Sequence, residues 1–214
     1  MQLQSNWKLK LIFLSIFSIA MAYVESSVVV YLRMIYYPGG FSFPLKQIQL
    51  TTLVVELFRE AATIVMLFTV SLLSSKILME RIAYFIFSFG IWDIFYYVFL
   101  KIILDWPKSI LDWDILFLMP VPWVGPVLAP VVISIILIGS SLVILNLMSK
   151  GRKLEYNRNE LLAIILGCIL VIISFLLHLN EIRSQSSPKV FNWWLYSLGL
   201  VTAFGVFLRG VIKH

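Results

Sequence analysis

VLAPVVISIILIGSSLVILNLM, residues 127–148, runs without a single ionisable side chain. As α-helix, at 1.5 Å per residue, it reaches about 33 Å, and a bilayer's hydrocarbon core is about 30 Å thick. A segment of this kind marks a membrane crossing. Similar apolar blocks recur on both sides of it, and the spans they predict are 11–32, 50–74, 82–104, 127–148, 160–180 and 193–211. The connections between them are short, with no internal repeat, low-complexity tract or linker. The expected fold is an all-α polytopic transmembrane bundle of about six spans, forming a single domain over 1–214.

Composition agrees with this reading. Of the 214 residues 61% are hydrophobic and 13% charged, with a mean hydropathy of +0.96; soluble domains run near half apolar and a quarter charged. The blocks are too long and too uniformly apolar for a transmembrane barrel, whose strands alternate. The net charge of +6 is scattered over short loops with no basic stripe, so nucleic acid is not an expected partner; the lipid bilayer is. Cys168 is the lone cysteine and sits in an apolar run, which excludes an intramolecular disulfide and suits a small buried hydrophobe. Two histidines, His178 and His214, leave no basis for a histidine-rich metal site. Lys8, Lys10 and the Ala20-Met21-Ala22 triplet imitate a secretory signal, but the apolar run continues through Val28-Val29-Val30, so an uncleaved first helix is expected.

Lys and Arg are biased between the loops, and that bias sets orientation. With the N-terminus cytoplasmic, the inner segments hold Lys8, Lys10, Lys76, Arg81, Lys150, Arg152, Lys153, Arg158, Arg209 and Lys213. The outer segments hold Arg33, Lys46, Lys101, Lys108, Arg183 and Lys189. The expectation is that both termini are cytoplasmic.

Ahead of the fourth span, Ile115–Met148 taken as one helix would run about 50 Å, too long for a single crossing. Prolines 120, 122, 126 and 130 remove donors and favour extended backbone before them. The chain is therefore expected to break here, either as a re-entrant segment over the outer mouth of the bundle or as a loop flat in the headgroups. Trp106, Trp113 and Trp123 are expected in the interfacial aromatic belt.

Five ionisable residues fall well inside predicted spans: Glu25, Glu56, Arg59, Glu60 and Asp93. Each costs about 2.5–3.5 kcal/mol at a helix centre on insertion scales, so such residues usually face the bundle interior and mark function. Counting rises along alternating helices puts them in the outer half or near the midplane. At 100° per residue Thr52, Glu56, Arg59, Glu60 and Thr63 form one stripe, and Asp93, Tyr96, Tyr97 and Lys101 form another. The first helix is sparser: Ser18 and Glu25 share a face, joined by Tyr36 only if the helix outruns its predicted end. The expectation is a polar pocket between the first three helices, with Glu25, Glu56, Arg59, Glu60 and Asp93 as proton- or cation-binding groups and Tyr36, Tyr96, Tyr97 and Lys101 lining it. Four carboxylates meet one deep cation, so the excess must be protonated, paired from the rim or compensated by something bound. The bland alternative is an Arg–Glu network that only locks helices together. Ala163 and Gly167 add a small-xxx-small pair suited to close helix contact.

The run Phe89-Gly90-Ile91-Trp92-Asp93-Ile94-Phe95-Tyr96-Tyr97, with Trp113-Asp114-Ile115-Leu116-Phe117-Leu118 and Pro122-Trp123, resembles a group of uncharacterised bacterial polytopic membrane proteins. The resemblance spans the first four helices and takes in Glu25 and Arg59-Glu60. It implies a bacterial inner-membrane setting and attaches no activity. Three functions fit the residues: binding or translocation of a proton or small cation; a membrane-embedded enzyme on a lipid or quinone-like substrate, with carboxylates as acid/base groups or Mg²⁺/Mn²⁺ ligands; and an accessory subunit alongside other membrane subunits. No cofactor is assigned.

Overall fold

A computed structural model describes residues 6–152 and 154–213; Lys153, counted above among the inner basic residues, and His214 lie outside them. The chain forms α1 (Trp7–Tyr36), α2 (Leu50–Ser74), α3 (Leu78–Leu104), β1 (Trp113–Phe117), β2 (Trp123–Pro126), α4 (Leu128–Ser149), α5 (Arg158–Leu176), the short α6 (Leu179–Arg183) and α7 (Trp193–Ile212). Five of the long helices are apolar enough to cross a membrane: α1, α3, α4, α5 with its continuation to Arg183, and α7. α2 is also long, at 25 residues, and carries Glu56, Arg59 and Glu60. The architecture is that of a multi-pass membrane protein.

Its surface is inside-out relative to a soluble bundle. On α2, Glu56 is 4% exposed while its neighbour Val55 is 62% and Phe58 73% exposed. Water would invert that pattern, whereas lipid selects it, because apolar side chains cost nothing against acyl chains and ionisable ones cost several kcal/mol. Cys168 follows the same rule. It is exposed on α5 rather than buried, facing the apolar surroundings of the bundle.

Helix ends are set by local chemistry. Asn6 caps α1, its side chain accepting from Leu9 N. Asn157 and Glu160 form a reciprocal capping box at α5, satisfying two otherwise orphaned donors. Asn192 caps α7. Asp105 stops α3 in the left-handed region at φ 50°. α1 does outrun its expected end and includes Tyr36. At the opposite end of the predicted fifth span, the chain breaks after Leu176, and α6 carries Asn180, Glu181 and Arg183 as a separate turn.

The proline-rich segment is an antiparallel hairpin, a departure from a purely helical chain. Trp113 pairs with Pro126, Asp114 with Gly125, Ile115 with Val124 and Phe117 with Trp123, with an irregularity between Ile115 and Phe117. Prolines 120 and 122 fall in its turn, where no ladder donor is needed, and Pro130 falls in the first turn of α4, where its missing N–H has no partner to lose. Gly125 is required by packing: a Cβ there would lie 2.9 Å from the Phe175 ring of α5. The hairpin caps the end of the bundle where α1 finishes and α4 and α7 begin, here termed the hairpin face. Its tryptophans pack inward, Trp113 against His178 and Phe191, and Trp123 stacked on Phe175, so both are half-buried anchors of the hairpin.

Near the opposite, termini face, Leu11, Leu14, Tyr84, Phe87, Ile144 and Leu145 join α1, α3 and α4. α5 and α7 pack so closely that a Cβ on Gly167 would come within 2.7 Å of Gly199 O and Ala203 N. This close approach is the small-residue route to van der Waals packing in lipid. At the hairpin face Tyr196 Oη donates to Ala129 O at 2.7 Å, tying α7 to α4.

Candidate functional site

Between α1, α2, α3 and the hairpin lies a cavity of about 280 Å³. All five of the ionisable residues singled out above line it, as do Tyr36, Tyr96 and Tyr97. The long α1 brings Glu25, Arg33 and Tyr36 to it, and its end is tied to α2 by Tyr36 Oη and Thr52 Oγ1, 3.3 Å apart.

The acids divide by their partners. Arg59 bonds Glu56 through Nε at 3.0 Å and Nη2 at 2.7 Å, and reaches across to Glu25 with Nη1. Thr63 Oγ1 donates to the second Glu25 oxygen at 2.9 Å. One guanidinium thus serves two carboxylates and joins α1 to α2. Glu60 and Asp93 form no salt bridge among the described residues, though Arg59 acts on Glu60 at longer range. Both Glu60 oxygens share the single N–H of Leu118, at 3.1 and 2.9 Å, a peptide group in the hairpin turn that has no strand to pair with. Asp93 Oδ2 accepts from Ser134 Oγ on α4 at 2.8 Å, and its Oδ1 has no partner among the described residues. α4 therefore contributes to the site and is more than apolar scaffold.

Two further charged residues, Arg33, counted above in the outer segments, and Asp114, belong to the interior. Arg33 Nη2 bonds Asp114 Oδ1 at 2.8 Å, with the side chains 8% and 2% exposed. The guanidinium also lies 3.7 Å from the Trp106 ring centroid and 4.3 Å from that of Phe41, so its charge is held between two π faces. The sequence signal for Asp114 was its position inside the apolar Trp113–Leu118 run. Nothing local could pair it with Arg33, 81 residues away.

Lys101 is a correction. It lies outside the cavity lining, half-exposed, bonding Asp105 Oδ1 at 2.7 Å and Pro107 O at 3.0 Å. It shares the helical phase of Asp93, but eight residues of rise carry it about 12 Å further along α3. Together with Lys108 it holds the Asp105 carboxyl down at about 2.

The lining thus contains five carboxylates (Glu25, Glu56, Glu60, Asp93, Asp114) against Arg33, Arg59 and the exposed Lys46. Among the described residues no group of three or more Asp, Glu, His or Cys is arranged to hold a metal ion. The arrangement can exchange protons or accept a cation at Glu60 and Asp93, while Arg59 and Arg33 hold the remaining acids in place. Comparison with family models, with curated proteins and with solved structures finds no match.

Proposed function

We propose that this chain is a bacterial inner-membrane protein, with both termini cytoplasmic, whose cavity binds a proton or small cation and passes it toward the hairpin face. The observation that carries the reading is the unequal partnering of the acids: Glu25, Glu56 and Asp114 each bond a guanidinium, while Glu60 and Asp93, 7% and 8% exposed, are bonded only by a peptide N–H and a hydroxyl, with Arg59 acting on Glu60 at longer range. A buried carboxylate without a counter-charge either takes up a proton or takes on a cation. The Glu25–Arg59–Glu56 network is helix-joining glue. Function rests on the other two acids.

The test is ion flux in proteoliposomes containing the purified protein, with internal pH and Na⁺ indicators. Asp93→Asn and Glu60→Gln are expected to lower flux by about tenfold or more, since each removes the only full charge offered to the ion at its position. Flux that no cavity substitution alters would overturn the proposal.

A further inference from the structure

We propose that the cation this cavity takes is an organic ammonium ion with an apolar, ring-sized body; the proposal rests on the cation-binding reading above and narrows its ligand class. Three observations converge on it. The first is that the free acids are separate: Asp93 on α3 offers Oδ1, and Glu60 on α2 offers two oxygens that share one N–H. A bare metal ion needs several oxygens at once, and no such set forms among the described residues. An ammonium group carries three N–H donors and can be met by one carboxylate together with ring faces.

The second observation is the wall. Alongside the acids the lining includes Leu32, Trp92, Tyr96, Tyr97, Ile115 and Phe117. Trp92 stacks with Tyr96 at 6.4 Å and lies 6.2 Å from Phe117, and Tyr96 meets Tyr97 edge-on at 5.0 Å. These faces attract a cation and simultaneously bury an apolar body. A hydrated inorganic ion gains nothing from them. The molecule already uses this chemistry once, in the Arg33 guanidinium held between Phe41 and Trp106.

The third is size. A cavity of about 280 Å³ falls just under the range of about 300–1,000 Å³ typical of drug-sized ligand sites. That suits one ring and a short amine arm and is far more than a lone ion fills.

The experiment is calorimetric titration of the full chain in nanodiscs with 2-phenylethylammonium, its neutral isostere 2-phenylethanol, and Na⁺. The ammonium is expected to bind, with the alcohol about tenfold or more weaker and Asp93→Asn costing about tenfold or more. Asp93→Glu, which keeps the charge, restores binding and separates charge loss from misfolding, and Glu60→Gln gives an independent second reading. If the alcohol binds as well as the ammonium, or if Na⁺ binds in an Asp93-dependent way while the ammonium does not, the organic-cation inference is overturned. The second of those results leaves the cation-binding function standing. If neither cation binds and flux ignores both acids, inference and function fall together.

Discussion

The α5–α7 pair and the α1–α2 pair are held together by opposite means. α5 and α7 meet backbone to backbone through Gly167, Gly199 and Ala203, with their polar contact, Glu160 to Lys213 and Arg209, confined to the termini end. α1 and α2 stand apart around the cavity and are joined by the Arg59 bridge between Glu25 and Glu56, by Thr63 to Glu25 and by Tyr36 to Thr52. In lipid there is no hydrophobic drive to bring helices together, so close packing and polar contacts are the two available adhesives. Close packing leaves no space. Polar bridging leaves a space between the helices, and in this molecule that space is the cavity.

The comparison can be broken most severely at Arg59. Arg59→Met strands Glu25 and Glu56 without a cation and is expected to cost about 3–5 kcal/mol in denaturant unfolding, the range for losing one partner of a buried pair. Adding Glu25→Gln and Glu56→Gln to that variant is expected to recover part of the loss, and a strictly additive result would show that the three residues do not act as a network.

Next in size is Gly167→Val, which pushes α5 off α7 and is expected to destabilise by about 1–3 kcal/mol while leaving cation binding unchanged; loss of binding would show that the two pairs are mechanically one. Tyr196→Phe removes the hydroxyl that donates from α7 to Ala129 O and is expected to cost about 0.5–1.5 kcal/mol, read as a lowered thermal midpoint.

The smallest effect is at Asp105, exposed between Lys101 and Lys108. Its carboxyl is held at about 2 against an ordinary 3.8, so whatever it contributes is present above 3.8 and lost as pH falls through 2. Asp105→Asn is expected to leave the midpoint at neutral pH unmoved, as exposed pairs usually do.

The residues that carried sequence legibility were those whose neighbours in space are also neighbours in helical phase. The stripe Thr52–Glu56–Arg59–Glu60–Thr63 and the pair Ala163 and Gly167 are read from period alone; Glu56, Arg59 and Glu60 of the stripe line the cavity and Gly167 sits at the close crossing with α7. Phase without depth misplaced Lys101, which shares the angle of Asp93 at the wrong height. The Arg33–Asp114 bridge and the Glu60–Leu118 contact were not legible, because each spans more than fifty residues and crosses from a helix to a hairpin. The hairpin itself was half legible: prolines announced a break, yet a break does not specify that the flanking segments pair with each other, and extended Trp113–Phe117 is too short and too apolar to show alternation.

The helices also differ in reach. α1, α2 and α3 hold 30, 25 and 27 residues, α4 and α7 only 22 and 20, and α5 19 before its break at Leu177, so the unbroken helices of the cavity-bearing group extend about 38–45 Å and the others about 28–33 Å. The short group matches an ordinary hydrocarbon layer of about 30 Å; the long group must tilt or project from it. At the termini face Lys10 bonds Ser74 O and ties α1 to α2, while Lys213 bonds Glu160 and ties α7 to α5, so each group is levelled within itself and the mismatch falls between the two groups.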